Sequence, residues 1–178
     1  MKNLMSKITL SVIVLTFIII MLSTVNSFYY IPKQLTQNEL ISMTIAKYSH
    51  KYNLDCMFVY NIVQAESTYR KKEVSHKNAM GLMQILPETA REVYNKIYKK
   101  EININRLFDI DTNIEIGCFY LNYLSTLLKG DKVKILCAYN AGIGNVRKWE
   151  RKSRDLNSFK KNIVFKETRD YVKKIIGE

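Results

Sequence analysis

The chain has 178 residues, and 28 Lys and Arg against 16 Asp and Glu give it a formal net charge of +12. That length suits one compact domain with an appendage, and an apolar content of 47% provides for a real core. With only 6 Gly, 2 Pro and few alternating runs, a mostly helical fold is favoured over a sheet. The positive charge attracts polyanions such as nucleic acid, anionic lipid or an acidic wall polymer. No Arg-rich tract or nucleic-acid motif is present, which argues against the first of these. Cys56, Cys118 and Cys137 form no Cys-x-x-Cys pair and have no His at metal-ligand spacing. Neither a metal site nor a disulfide framework is expected, and the three are read as small buried residues.

The N-terminus carries the first element. Between Ile8 and Pro32 there is no charged residue, and Lys2 and Lys7 precede the run. It is long enough for a membrane-crossing helix, which needs about 20 residues. A secretory signal has a similar layout with a shorter apolar centre, and Val25-Asn26-Ser27 only weakly matches its cleavage site. Residues 1–32 are therefore read as an uncleaved anchor in preference to a cleaved signal. The basic flank stays inside, and residues 33–178 are the exported domain.

Thr36-Gln37-Asn38-Glu39 has the capping-box form. Ile41, Ile45, Tyr48 and Tyr52 then fall on one helical face. Asn53-Leu54-Asp55 ends that helix, and Asp55 can cap the next, Cys56 to Glu66, which is apolar on most sides and should be central. Ser67 to Lys77 is a polar loop, and Asn78 tolerates a left-handed backbone. Beyond Gly81, Pro87 suits the first turn of a helix from Glu88 to about Lys99. Asp111 to Glu115 reads as the opening of another capped helix, and Val133 to Tyr139 as a short one. Asn140 to Asn145 reads as a Gly-rich turn, with Trp149 anchoring the short helix after it. Lys166 to Ile176 is the last helix, with Phe165, Tyr171, Val172 and Ile175 on its buried side. His50 and His76 are read as surface residues.

Glu66 stands out chemically. It ends an apolar helix, where desolvation and the negative end of the helix dipole both favour a protonated carboxyl. That is the condition a general acid needs.

Four blocks occur in order: Gln64-Ala65-Glu66-Ser67, Gly81-Leu82-Met83-Gln84-Ile85, Ala138-Tyr139-Asn140-Ala141-Gly142 and Glu167-Thr168-Arg169-Asp170-Tyr171-Val172. Leu107-Phe108-Asp109 with Asn113-Ile114 and Gly117 adds a fifth segment. Together they resemble the lytic transglycosylase SLT domain, over roughly Leu35 to Ile176. The resemblance implies a mainly α, lysozyme-like helical domain, here preceded by one N-terminal hydrophobic membrane helix. It implies Glu66 as the catalytic acid/base, with Ser75, Gln84, Tyr139 and Asn140 lining a sugar cleft. Ser67, Met83 and Glu167 would be supporting residues, and no metal or organic cofactor is needed. The implied reaction cuts the MurNAc-GlcNAc bond of peptidoglycan and closes a 1,6-anhydro ring. A muramidase that admits water and a non-catalytic wall-binding module of the same fold are the competing readings. The expected partners are peptidoglycan strands and, through the N-terminal segment, the cytoplasmic membrane, with the domain outside it. Tyr139, in a chain with 12 tyrosines, and Met83 can also be read as core residues.

Overall fold

A computed structural model of the chain describes residues 12–22 and 34–177, in two units divided after Leu35. In the first unit, residues 12–22 form a helix, α1, whose apolar side chains are exposed. Among the described residues no helix is long and apolar enough to cross a membrane. The remainder of the expected anchor, residues 1–11 and 23–32, lies outside the described residues.

The second unit is mainly helical. In order it contains α2 (Gln37–Lys51), α3 (Cys56–Ser67), α4 (Pro87–Tyr98), a 3-10 turn (Ile104–Phe108), α5 (Ile110–Leu127), α6 (Lys132–Ala141), α7 (Ile143–Arg151), α8 (Leu156–Asn162) and α9 (Lys166–Ile176). The described residues include no strand. Two isolated antiparallel bridges, Val74 with Met80 and Met80 with Ile85, tie down the loop between α3 and α4.

Local chemistry sets the helix starts. Thr36 Oγ1 accepts from the Glu39 N–H at 3.2 Å, and the Glu39 carboxylate accepts from the Thr36 N–H at 2.8 Å. This is the expected capping box, a feature whose N-cap alone contributes about 1 kcal/mol. Asp55 caps α3 through the N–H groups of Met57 and Phe58. Pro87 opens α4, where its missing N–H costs nothing.

The central helix is α5. Ile114, Ile116, Cys118, Leu121 and Leu124 are all buried along it, and it packs against α2, α4, α6 and the 3-10 turn. Full burial of each large apolar side chain contributes about 1.5–3 kcal/mol. Ile41, Ile45 and Tyr48 of α2 and Phe58, Ile62 and Val63 of α3 complete this layer. In turn, α9 lies against both α3 and α6, which brings the end of the chain to the end of α3.

Several expectations need correction. No side chain caps α5, which begins at Ile110; Asp111 instead pairs with Lys47 and Tyr48 of α2. The turn expected over Asn140 to Asn145 shrinks to Gly142, whose φ of +86° lets α7 start directly after α6. Cys56 is exposed, because the first turn of α3 projects from the core, while Cys118 and Cys137 are buried. Phe165 precedes α9 rather than lying on its inner face and is largely exposed, with its ring edge-on to Trp149.

Candidate active site

The last turn of α3 presents Glu66, and the chain then reverses through Thr68 and Tyr69, both left-handed at φ 51° and 61°. Two successive non-glycine residues in that region store strain, a cost accepted where the surrounding structure fixes the turn. Ser67 is buried and its hydroxyl donates back to the Val63 carbonyl at 3.3 Å.

The loop that follows is built for rigidity. Ser75 Oγ accepts from the Ala79 N–H at 3.0 Å and the Lys77 N–H at 3.3 Å, so its own proton is free to be donated. At Gly81 the backbone has φ +78°, and a Cβ would sit 2.2 Å from the Leu107 carbonyl and 2.3 Å from Asn113 Nδ2. Only glycine fits. Asn113, fully buried on α5, holds this turn with three bonds: Nδ2 donates to the Met80 carbonyl at 2.9 Å and the Leu107 carbonyl at 2.8 Å, and Oδ1 accepts from the Met83 N–H at 2.8 Å.

A cavity of about 150 Å³ opens between this loop, α3, α6 and α9. Glu66, Ser75, Gln84, Tyr139, Asn140 and Glu167 all line it, along with His76, Lys77 and Leu86. Thus six residues singled out in the sequence meet in one place. The other two do not: Ser67 is internal, and the Met83 side chain is buried against Gly117, where a Cβ would lie 2.3 Å from its sulfur.

Within the cavity the Glu66 carboxyl is pushed up to about 7 from an ordinary 4.5. Burial is the main cause, and the Glu167 charge pushes the same way; the hydrogen bond from Tyr171 and the positive charge of Lys174 pull it down. Tyr171 Oη donates to Glu66 Oε1 at 2.6 Å. Glu167 is solvent-exposed and faces Lys77 at 4.0 Å.

The amides have fixed orientations. Gln84 Nε2 donates to the carbonyls of Glu73 at 3.2 Å and Gly81 at 3.0 Å, which leaves its oxygen as the group for a ligand. Asn140 Oδ1 accepts from Thr168 at 2.7 Å, which leaves its nitrogen. The pair therefore offers one acceptor and one donor, where the sequence suggested that each could do both. Tyr139 donates to the Met83 carbonyl at 2.7 Å, so its proton is committed and its ring is what it presents.

Tyr171, Thr168 and Asn113 are the contributors that sequence reasoning passed over. Helical spacing places Tyr171 on the buried side of α9, yet it lies one turn beyond Glu167 in the same motif block, a spacing that puts both on one face. Among the described residues no cluster of three or more His, Cys, Asp or Glu could hold a metal ion.

The Transglycosylase SLT domain model matches residues 43–162. The soluble lytic murein transglycosylase of Salmonella typhimurium is 33% identical over 135 residues, 74% of this chain and 21% of the relative. Membrane-bound lytic murein transglycosylase C of Haemophilus influenzae is 30% identical over 132 residues, covering 69% and 37%. Among solved structures, an inactive mutant of lytic transglycosylase Slt from Pseudomonas aeruginosa aligns at a TM-score of 0.70 with 31% identity, covering 75% of this chain and 22% of that one. The 70 kDa soluble lytic transglycosylase of Escherichia coli aligns at 0.67 with 33% identity, covering 74% and 22%. This chain spans about a fifth of the length of the soluble relatives it matches.

Proposed function

Because the chain belongs to the transglycosylase SLT domain family, we propose that it is a peptidoglycan lytic transglycosylase. It cleaves the MurNAc-GlcNAc β-1,4 bond and leaves 1,6-anhydroMurNAc ends, with Glu66 as its single acid/base. The observation that carries this reading is a half-buried carboxyl, held by the Tyr171 hydroxyl at 2.6 Å, in a cleft whose other carboxylate is exposed.

A pKa of about 7 suits both halves of such a reaction. Protonated Glu66 donates to the glycosidic oxygen as the bond breaks. The cation at the anomeric carbon is stabilised by the substrate's own N-acetyl group. Ionised Glu66, steadied by the Tyr171 hydroxyl, then takes the proton of the sugar's 6-hydroxyl as that oxygen closes the ring. Most glycosidases use two carboxylates for this task. Here the intramolecular nucleophile removes the need for the second, since effective molarities of about 10⁵ M or more attend well-placed attack.

Recognition follows from the same groups. The Asn140 nitrogen donates to the carbonyl of an N-acetyl group, the Gln84 oxygen accepts from its N–H, and Ser75 donates to a sugar oxygen. Tyr139 supplies an apolar face for a ring. No metal or organic cofactor enters the reaction. Residues 1–32 hold the domain outside the cytoplasmic membrane, a role supported by the uncharged run and the apolar helix within it.

The test is release of soluble fragments from purified peptidoglycan. Wild type releases them and Glu66→Gln does so at least about 100-fold more slowly, the lower range for loss of a general acid–base group. Equal rates would remove Glu66 from the mechanism.

A further inference from the structure

Two hydrogen bonds from α9 grip the end of α3. Tyr171 reaches Glu66 Oε1, and Lys174, about one turn further along α9, donates from Nζ to the Ala65 carbonyl at 3.1 Å. The last carbonyls of a helix have no partner within it. Here the Thr68 N–H closes on the Gln64 carbonyl and the left-handed pair Thr68 and Tyr69 then carries the chain away. Lys174 supplies the next partner from outside. A cation at this position also opposes the negative end of the α3 dipole, next to the residue whose charge the mechanism needs.

We propose that Lys174 is a positioning residue for Glu66, fixing the end of α3 against α9 and setting the local field in which the carboxyl gives up and regains its proton. This rests on the reading of Glu66 as the acid/base.

The groups around the carboxyl divide by sign. Burial and Glu167 hold the proton on, while Tyr171 and Lys174 favour its release. Tyr139 faces the carboxyl from α6, and His76 and Lys77 line the same cavity from the loop. Without Lys174, the cation that opposes burial is lost and the carboxyl keeps its proton to a somewhat higher pH. Tyr171 alone orients one oxygen; Lys174 fixes the backbone that carries it. Lys174 is solvent-exposed, so its field is screened, and a shift of about half a pH unit is expected from its loss.

The experiment follows the Glu66 side-chain carboxyl by ¹³C NMR titration in the full-length protein held in neutral detergent. Wild type, Lys174→Met and Lys174→Arg are compared at 20 mM and 500 mM NaCl. Lys174→Met keeps the apolar stem, and its midpoint should lie about half a pH unit above wild type at low salt, the gap closing at high salt. Lys174→Arg retains a charge and a donor and should titrate with wild type. Glu167, His76 and Lys77 are common to all three proteins and cancel in the comparison. An unmoved midpoint in Lys174→Met, an equal rise in Lys174→Arg, or a rise that persists undiminished at high salt overturns the proposal. The titration needs no turnover. Failure of wild type to release anhydro fragments would therefore remove the acid/base reading separately, without altering the titration.

Discussion

Glu66→Gln should make the protein more stable at alkaline pH while slowing the proposed reaction at least about 100-fold. The folded state holds the Glu66 proton with a pKa of about 7, against an ordinary 4.5. A carboxyl raised in this way contributes its full stability below pH 4.5, loses it progressively as the pH climbs towards 7, and offers none beyond. At 1.36 kcal/mol per pH unit, the ionised carboxylate costs the fold about 3 kcal/mol at pH 8. Glutamine keeps the shape and an acceptor for Tyr171 but never ionises. Its advantage over wild type should thus grow by about 3 kcal/mol between pH 4.5 and pH 8. In a domain of this size that corresponds to about 6–12 °C in Tm. Thermal unfolding followed by circular dichroism at pH 4.5, 6 and 8, at one ionic strength, measures it. A difference between the two proteins that is flat with pH, or larger at the acid end, refutes the argument that the fold strains against this charge.

Other residues carry their own tests. Tyr171→Phe removes a donor to the ionised carboxylate, an interaction of about 1.5–3 kcal/mol that the protonated acid partly retains. The alkaline limb of fragment release should move up by about one pH unit, and a limb that stays or falls contradicts the role given to Tyr171. Asn113→Ala strips partners from two carbonyls and one N–H inside the core. Urea unfolding should show a loss of about 3–5 kcal/mol. A loss under about 1 kcal/mol would mean that the loop does not depend on this strut.

Much of the helical frame is legible in the sequence, because caps and apolar faces are local signals. The Thr36–Glu39 box and the Pro87 and Lys166 starts could each be read within a few residues. The departures have separate causes. Asp111 looks like a cap, but a tertiary partner on α2 claims its carboxylate, and Gly142 tightens a turn that composition alone would make longer. At the site, the residue types were readable but their hydrogen-bond directions were not. Thr168 fixes the face that Asn140 shows from another helix, and the carbonyls of Glu73 and Gly81 fix that of Gln84 from within its own folded loop; neither orientation follows from residue type alone. The role of the Tyr171 hydroxyl is likewise not legible in the sequence. Buried aromatics at helical spacing are ordinarily core, and only the approach of α9 to α3 turns its hydroxyl on to Glu66.

In the proposed reaction one carboxyl acts twice while the substrate provides the nucleophile. Mass spectrometry of fragments released from purified peptidoglycan tests it most directly. The released chains should end in 1,6-anhydroMurNAc, lighter by one water than hydrolysed ends and resistant to borohydride reduction. Fragments ending in reducible MurNAc would contradict it, since water, not the sugar's 6-hydroxyl, would then have reached the cation beside Glu66.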